Sequence, residues 1–217
     1  VMMLGAVIGD IAGSRFEFDN YRHTDFDIFS PDSDFTDDTI CTVAIADWVL
    51  QGCNDNLASI LQGWCRAYPC PKGAYGGRFS QWIEWEDPEP YNSWGNGSAM
   101  RVSAVGWAFA TLEETLHFAE QSATVTHNHP EGIKGAQAVA AAIFWARTGI
   151  GKAQIKENIT RQFGYDLSQS CDQIRPHYHF NESCQETVPQ AITAFLESDN
   201  FEHAILLAVS LGGDSDT

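Results

Sequence analysis

Two acidic segments carry the residues with the clearest chemical potential in this chain. The first, Thr36-Asp37-Asp38, directly precedes an apolar helical pattern, and the second, Asp214-Ser215-Asp216-Thr217, follows a pair of glycines. Adjacent side chains on a helix diverge by about 100°, so the two aspartates of the first segment can reach two different points. In an extended segment residues i and i+2 face the same side, so the aspartates of the second segment can converge. Such a set would suit two metal ions.

The donor atoms of these segments are four carboxylates and two hydroxyls, with no sulfur and no imidazole. Hard oxygen donors select Mg²⁺, Mn²⁺ or Ca²⁺ over zinc or copper. The EF-hand alternative fails, because neither Asp25-Phe26-Asp27 nor Asp32-Ser33-Asp34 is followed by the required glycine and glutamate. Simple helix capping remains open for the first segment, and a solvated acidic stretch for the second. If the segments meet, cations must offset their repulsion, so we expect metal binding to raise the melting temperature.

Between the acidic segments lies a glycine-rich turn, Gly95-Asn96-Gly97-Ser98-Ala99-Met100-Arg101, that opens into a helical pattern. Backbone N–H groups of such a turn can bind an anion without any lysine or arginine. The segment matches neither GxGxxG nor the P-loop pattern, so it supports no Rossmann or nucleoside triphosphatase interpretation. Ordinary turn chemistry is the alternative.

Three further polar residues are candidates for chemistry. His127 and His129 precede a helical pattern that begins near Gly132, and Glu17 follows a glycine-rich helix. Because the metal set contains only oxygen, we expect His127 to contact substrate, and His129 to be structural or to support a residue that binds metal or substrate. Glu17 could be a general base or a gate over the cleft, or simply an exposed loop acid.

Composition excludes several classes of function. The 217 residues include 12 Lys and Arg against 29 Asp and Glu, a net charge of −17, and 44% are hydrophobic. We expect one domain, residues 1–217, with a sizeable core. The acid excess argues against nucleic acid and anionic lipid as partners.

The most apolar run, 138–146, is too short to span a membrane. Six cysteines without zinc spacing, and no signal-peptide pattern, predict reduced thiols in a cytoplasm.

Apolar spacing predicts helices almost throughout, and strand patterns are nearly absent. The predicted helices are 4–12, 36–50, 57–68, 98–111, 112–124, 132–148, 153–163, 188–197 and 201–211. Only 171–184 reads as irregular or as a short strand. The loops 19–34, 69–77 and 87–97 are long enough to be functional. We therefore predict an all-α, single-domain, compact multi-helix bundle.

The order of these segments resembles the ADP-ribosylglycohydrolase family, which includes dinitrogenase reductase-activating glycohydrolase. The resemblance spans essentially the whole chain and rests on five motifs in register, which run from Gly5 to Glu17, Thr36 to Asp38, Gly95 to Arg101, Thr126 to His127 and Gly212 to Thr217. Each motif is weak alone, and the five together are highly specific.

The resemblance implies an all-α fold with a binuclear Mg²⁺ or Mn²⁺ centre that hydrolyses the N- or O-glycosidic bond between ADP-ribose and an acceptor, commonly a protein arginine. By position, the implied metal ligands are Thr36, Asp37, Asp38, Asp214, Asp216 and Thr217. The pyrophosphate would be held by Gly95, Asn96, Gly97, Ser98 and Ala99, and ADP-ribose contacted by His127. Family members usually continue past Asp-x-Asp-Thr with a small-residue helix beside the first helix, whereas the sequence here stops at Thr217. We therefore expect Thr217 to be the least secure of the six ligands.

Cleavage of a ribosyl bond passes through an oxocarbenium-like state and needs an activated water. The candidate residues for deprotonating that water are Asp38, Asp216 and Glu17. We expect a monomer that acts on an ADP-ribosylated protein or a small ADP-ribose conjugate and reverses mono-ADP-ribosylation. The alternatives are a non-catalytic ADP-ribose-binding or crystallin-like relative, a hydrolase of another ADP-ribose derivative, and a metal-dependent phosphoesterase.

Overall fold

The structure, a computed structural model, describes residues 3–217, and its regular elements are helices joined by several long loops. Its α-helical segments are α1 Leu4–Gly13, α2 Asp37–Leu50, α3 Leu57–Ala67, α4 Gly77–Ile83, α5 Gly97–Met100, α6 Ser103–Ala108, α7 Leu112–Thr124, α8 Pro130–Arg147, α9 Lys152–Phe163, α10 Cys171–Ile174, α11 Val188–Glu197 and α12 Phe201–Ser210. A 3₁₀ turn covers Cys184–Glu186. Within the described residues the extended pairing is limited to two isolated bridges, Thr36 with Lys72 and Gly95 with Ser183. The prediction of an all-α fold is confirmed.

The longest helix, α8, lies at the centre of the packing and contacts α5, α6, α7, α9 and α11. Its buried positions are mostly alanine and glycine, so neighbouring backbones can approach it closely. A Cβ added to Gly135 would lie 2.4 Å from the sulfur of Cys184, and one added to Gly106 of α6 would lie 2.7 Å from Cβ of Ile143. Small residues are therefore required where α8 meets its neighbours.

The helices α1, α2 and α12 pack together and position the acidic segments. On the opposite side of α2, Ile40, Ala44 and Trp48 are buried against α3, α4 and α6. This packing holds the axis of α2, so the direction in which its first turn points is set by the core. No helix among residues 3–217 is both long and apolar enough to cross a membrane.

One prediction of local structure was wrong. The segment 98–111 was expected to be one helix, but it divides into α5 and α6, and its last residues are not helical. At the break, the buried Arg101 side chain donates to the carbonyl of Ser122. The segment 171–184, expected to be irregular or a short strand, is largely irregular, but it begins with a helical turn, α10. Ser170 and Gln173 form a reciprocal capping box that starts this turn. The short helix α4 was also not predicted.

Candidate functional site

The first turn of α2 is held in place by a buried carboxylate of α1. Thr36 is the N-cap of α2, and its hydroxyl accepts a hydrogen bond from the Asp38 N–H at 3.1 Å. Asp10 is 2% exposed, and its Oδ2 accepts from the N–H groups of Thr36 at 3.0 Å and Thr39 at 3.1 Å, and from the Thr39 hydroxyl. Asp10 therefore couples α1 to the start of α2.

The second acidic segment returns across the end of α1. Gly212 and Gly213 have φ near +79° and +78°, a region that favours glycine, and they turn the chain away from α12. The Asn20 amide bonds both the N–H and the carbonyl of Gly213, each at 2.9 Å. A Cβ added to Gly13 would lie 1.9 Å from the carbonyl oxygen of Ser215, so only glycine permits this approach.

The two acidic segments meet. The Thr217 hydroxyl donates to Asp38 Oδ2 at 2.9 Å, across a separation of 179 residues. Carboxylate oxygens of Glu17, Asp214 and Asp216 all lie within 4.8 Å of one another. The structure thus brings together Glu17 and residues of both segments that the sequence singled out.

The site is an uncompensated cluster of negative charge. Burial, together with the charges of Asp10 and Asp214, raises the pKa of Asp37 to about 7. Burial and then the charges of Asp214 and Asp37 raise the pKa of Glu17 to about 7. Burial is also the largest cause that raises the pKa of Asp38 and Asp216 well above the usual range. Among residues 3–217, none of the ion pairs formed by a lysine, arginine or histidine involves these carboxylates.

The donor set is suited to divalent cations. Asp216 Oδ1 is buried and has no hydrogen-bond partner within the described part of the chain, so it is free to act as a ligand. Two hydroxyls, of Thr36 and Thr217, lie among the carboxylates. Buried carboxylates without partners are costly, and oxygen-only sets of this kind bind Mg²⁺, Mn²⁺ or Ca²⁺. These residues could hold metal.

The glycine-rich turn lies beside the acidic cluster. The Asn96 side chain donates to Asp214 Oδ2 at 2.7 Å, so this amide supports a carboxylate. The Ser98 hydroxyl donates to the Gly132 carbonyl at 2.7 Å, and Ala99 is buried in the core around α8. The N–H of Asn96 is used by the Glu182 carbonyl at 2.7 Å. The side chains of Asn96 and Ser98 and the backbone N–H of Asn96 are thus already hydrogen-bonded. An anion can therefore bind this turn only through backbone N–H groups that have no other partner.

His127 lies against the glycine-rich turn. It is 5% exposed, and its Nε2 lies 3.0 Å from where a Cβ on Gly97 would be. Burial and then the charge of Arg101 lower the pKa of His127 well below its usual range, so the ring is neutral. His129 caps α8, with its Nδ1 accepting from the Glu131 N–H at 3.1 Å.

Sequence reasoning missed residues that support the site from behind. Besides Asp10 and Asn20, the guanidinium of Arg22 donates to the carbonyls of Leu211 at 2.9 Å and Tyr178 at 2.6 Å, which anchors the end of α12. The one usable signal was a carboxylate at position 10 in an otherwise apolar helix. Asn20 and Arg22 sit in a loop rich in polar residues, where nothing local distinguishes them.

Comparison with known proteins bears on this site. Residues 2–217 match the family described as ADP-ribosylglycohydrolase. The ADP-ribosylarginine hydrolase Tri1 of Pseudomonas putida (strain GB-1) is 27% identical over 247 aligned residues, which cover 99% of this chain and 66% of that protein, just under two thirds. ADP-ribosylhydrolase ARH3 of Xenopus tropicalis is 23% identical, covering 99% of this chain and 82% of that protein. A solved ADP-ribosylglycohydrolase-related protein complex has the same fold, with a TM-score of 0.73, 24% identity and coverage of 100% and 81%.

Proposed function

The chain belongs to the ADP-ribosylglycohydrolase family, and on this premise we propose that it is a metal-dependent hydrolase that releases ADP-ribose from an acceptor. The acceptor we propose is a protein arginine, so that the reaction reverses mono-ADP-ribosylation. The cofactor we propose is a pair of Mg²⁺ or Mn²⁺ ions. We expect the protein to act as a cytoplasmic monomer.

The observation that carries this proposal is the convergence of the two acidic segments around Glu17. The Thr217 hydroxyl reaches Asp38 at 2.9 Å, and Asp214 and Asp216 lie with Glu17 in one cluster. No protein cation neutralises the cluster among residues 3–217. Buried carboxylates that raise one another's pKa stay ionised at neutral pH when an external positive charge offsets their repulsion, and divalent cations would provide that charge.

The proposed metal ligands are Thr36, Asp37, Asp38, Asp214, Asp216 and Thr217. Divalent cations held there would polarise the ribose hydroxyls as Lewis acids and would neutralise the carboxylates. The residues of the chain orient the reactants around that charge. Asp10 fixes the first turn of α2, and Asn96 fixes Asp214 through its amide N–H. The rigid placement of these groups lowers the entropic cost of aligning water with the ribose.

Proton transfer requires a group that titrates near the working pH. With no cation bound, burial and then the charges of Asp214 and Asp37 raise the pKa of Glu17 to about 7, and its carboxylate lies next to those of Asp214 and Asp216. This position suits a group that takes a proton from the attacking water or holds one for the leaving nitrogen. Asp38 and Asp216 are the other candidates for the base, and both are almost fully buried.

ADP-ribose would be held beside this cluster by the glycine-rich turn and His127. The phosphates are anions, and the net charge of this protein is −17. Backbone N–H groups suit such a protein, because they bind an anion without any lysine or arginine. The proposal of arginine as acceptor is supported by the printed name of the Pseudomonas relative.

The experiment that tests the proposal is product identification. The protein is incubated with ADP-ribosylarginine peptide and, separately, with ADP-ribosylserine peptide, in MgCl₂, MnCl₂ or EDTA, and products are separated by chromatography. We expect ADP-ribose from the arginine peptide only when a divalent cation is present. AMP as product would indicate a phosphoesterase, and bound peptide without any release would indicate a non-catalytic ADP-ribose binder. Release from the serine peptide alone would refute arginine as acceptor.

A further inference from the structure

Behind the glycine-rich turn, three buried residues form a chain of hydrogen bonds. Arg101 is 1% exposed, and its Nη2 donates to Thr126 Oγ1 and to the Ser122 carbonyl, each at 2.8 Å. Thr126 is fully buried, and its Oγ1 lies 2.7 Å from Nδ1 of His127. Neither Arg101 nor Thr126 reaches the acidic cluster through these bonds.

The direction of each hydrogen bond follows from the inventory of donors and acceptors. A guanidinium only donates, so the Thr126 hydroxyl accepts from Arg101 and still has one hydrogen to give. Among residues 3–217 the other polar partner of that hydroxyl is His127 Nδ1. A buried hydroxyl without an acceptor is unfavourable, so Thr126 donates to Nδ1. The Nδ1 atom is then an acceptor, and the proton of the neutral ring resides on Nε2.

The protonated Nε2 faces the glycine-rich turn. It lies 3.0 Å from the position of a Cβ on Gly97 and 3.5 Å from that on Gly95, and it has no hydrogen-bond partner within the described chain. Any side chain at Gly97 would crowd this ring. On a residue that is 95% buried this N–H has a fixed direction, so an oxygen placed beside the turn, from water or from a bound ligand, can accept its hydrogen bond.

We propose that Arg101 and Thr126 are positioning residues that lock His127 in the Nε2–H tautomer, so that it donates a hydrogen bond to an oxygen of the ADP-ribose moiety. His127 then acts as a neutral donor and takes no part as an acid or base. The identity of the ligand rests on the proposed function, whereas the tautomer does not. The tautomer follows from contacts that are formed without any ligand.

The tautomer is tested by long-range ¹H–¹⁵N spectra of protein labelled with ¹⁵N-histidine, recorded in MgCl₂ at pH 7 without ADP-ribose. The His127 signals are assigned by their loss in His127→Gln. We expect an unprotonated Nδ1 and a protonated Nε2 in the wild type and in Thr126→Ser, which keeps the hydroxyl. In Thr126→Val we expect a mixture of tautomers. A proton on Nδ1 of the wild type, or a Thr126→Val spectrum identical to that of the wild type, would overturn the proposal. If Thr126→Val does not fold, the wild-type spectrum alone decides.

The role in binding is tested by calorimetry with ADP-ribose and by steady-state kinetics on ADP-ribosylarginine. One neutral hydrogen bond corresponds to a loss of about threefold to tenfold in affinity. We expect a loss of that size and a raised KM with little change in kcat for Thr126→Val, and recovery in Thr126→Ser. A fall in kcat at unchanged KM would overturn the positioning role. If the wild type shows the expected tautomer but binds no ADP-ribose, the proposed function fails while the assignment of the tautomer stands.

Discussion

Without divalent cations, the buried carboxylates should make the folded protein less stable as pH rises from 4 to 7. Asp37 has a pKa of about 7 in the folded state against an ordinary value of 3.8. Between these values the folded state binds more protons than the unfolded state, so the free energy of unfolding falls with rising pH. The stability associated with this group is fully present below about pH 4 and is lost by pH 7.

The size of the effect follows from the shift. A rise in the pKa of Asp37 from 3.8 to about 7 corresponds to a loss of roughly 4 kcal/mol in the free energy of unfolding when the carboxyl is fully ionised. The charges of Asp10 and Asp214 contribute to the raised pKa of Asp37, so these carboxylates titrate together. The loss of unfolding free energy is therefore a property of the whole cluster and not of Asp37 alone. Glu17 shifts in the same direction but is only partly buried, so solvent screening leaves a smaller contribution. For a chain of this length about 4 kcal/mol is equivalent to roughly 8 to 16 °C in melting temperature.

The assay is thermal unfolding between pH 4.5 and 7.5 in EDTA and in millimolar MgCl₂ or MnCl₂. We expect Asp37→Asn to melt higher than the wild type at pH 7.5 in EDTA, and to respond less to metal. Asp55→Asn, at an exposed position, makes the same change in net charge and serves as the control. Burial lowers the pKa of His127, which opposes the trend below about pH 6.5, so the comparison of variants is decisive. Equal melting of the two variants, or no response of the wild type to metal, would refute the reasoning.

Three further predictions concern single positions. Asp38→Ala and Asp216→Ala should each lower kcat/KM by roughly two to four orders of magnitude, because each removes a carboxylate proposed to bind metal or accept a proton; wild-type turnover in either would contradict the metal site. Gly97→Val should raise KM for ADP-ribose conjugates by crowding the histidine ring 3.0 Å away, with an unchanged circular dichroism spectrum; an unchanged KM would contradict this. Gly13→Ala should lower the melting temperature by roughly 2 to 10 °C, since its Cβ would overlap the Ser215 carbonyl. A melting temperature equal to that of the wild type would show that the second acidic segment does not lie against Gly13.

Much of the fold was predictable because helical periodicity is a local property. The helices 112–124 and 188–197 match their predicted bounds, and most others differ by one or two residues. The break between α5 and α6 was not predicted, and it lies where the Arg101 side chain bonds acceptors on α7 and in the loop beyond it. Those acceptors are 21 and 25 residues away in sequence, so no local pattern reports them.

The candidate site was predictable in its residue types and not in its support. Runs of aspartate with threonine identify oxygen donors by composition alone, and the structure brings Asp38 and Thr217 into contact. The roles of Asp10 and Asn20 depend on contacts to α2 and to Gly213. The Asn96 side chain donates to Asp214, a partner 118 residues away, and no local pattern indicates that contact.

The contact between Thr217 and Asp38 has a consequence for how the protein is made. At a synthesis rate of about 5 to 20 residues per second, the 179 residues that separate these two partners take on the order of 10 to 40 s to be translated. During that interval the nascent chain carries the aspartates of α2 without the residues that complete their surroundings. The surroundings of Asp38 are therefore complete only after Thr217 has been made and has docked beside α2. The appearance of the proposed activity during translation would report on this docking.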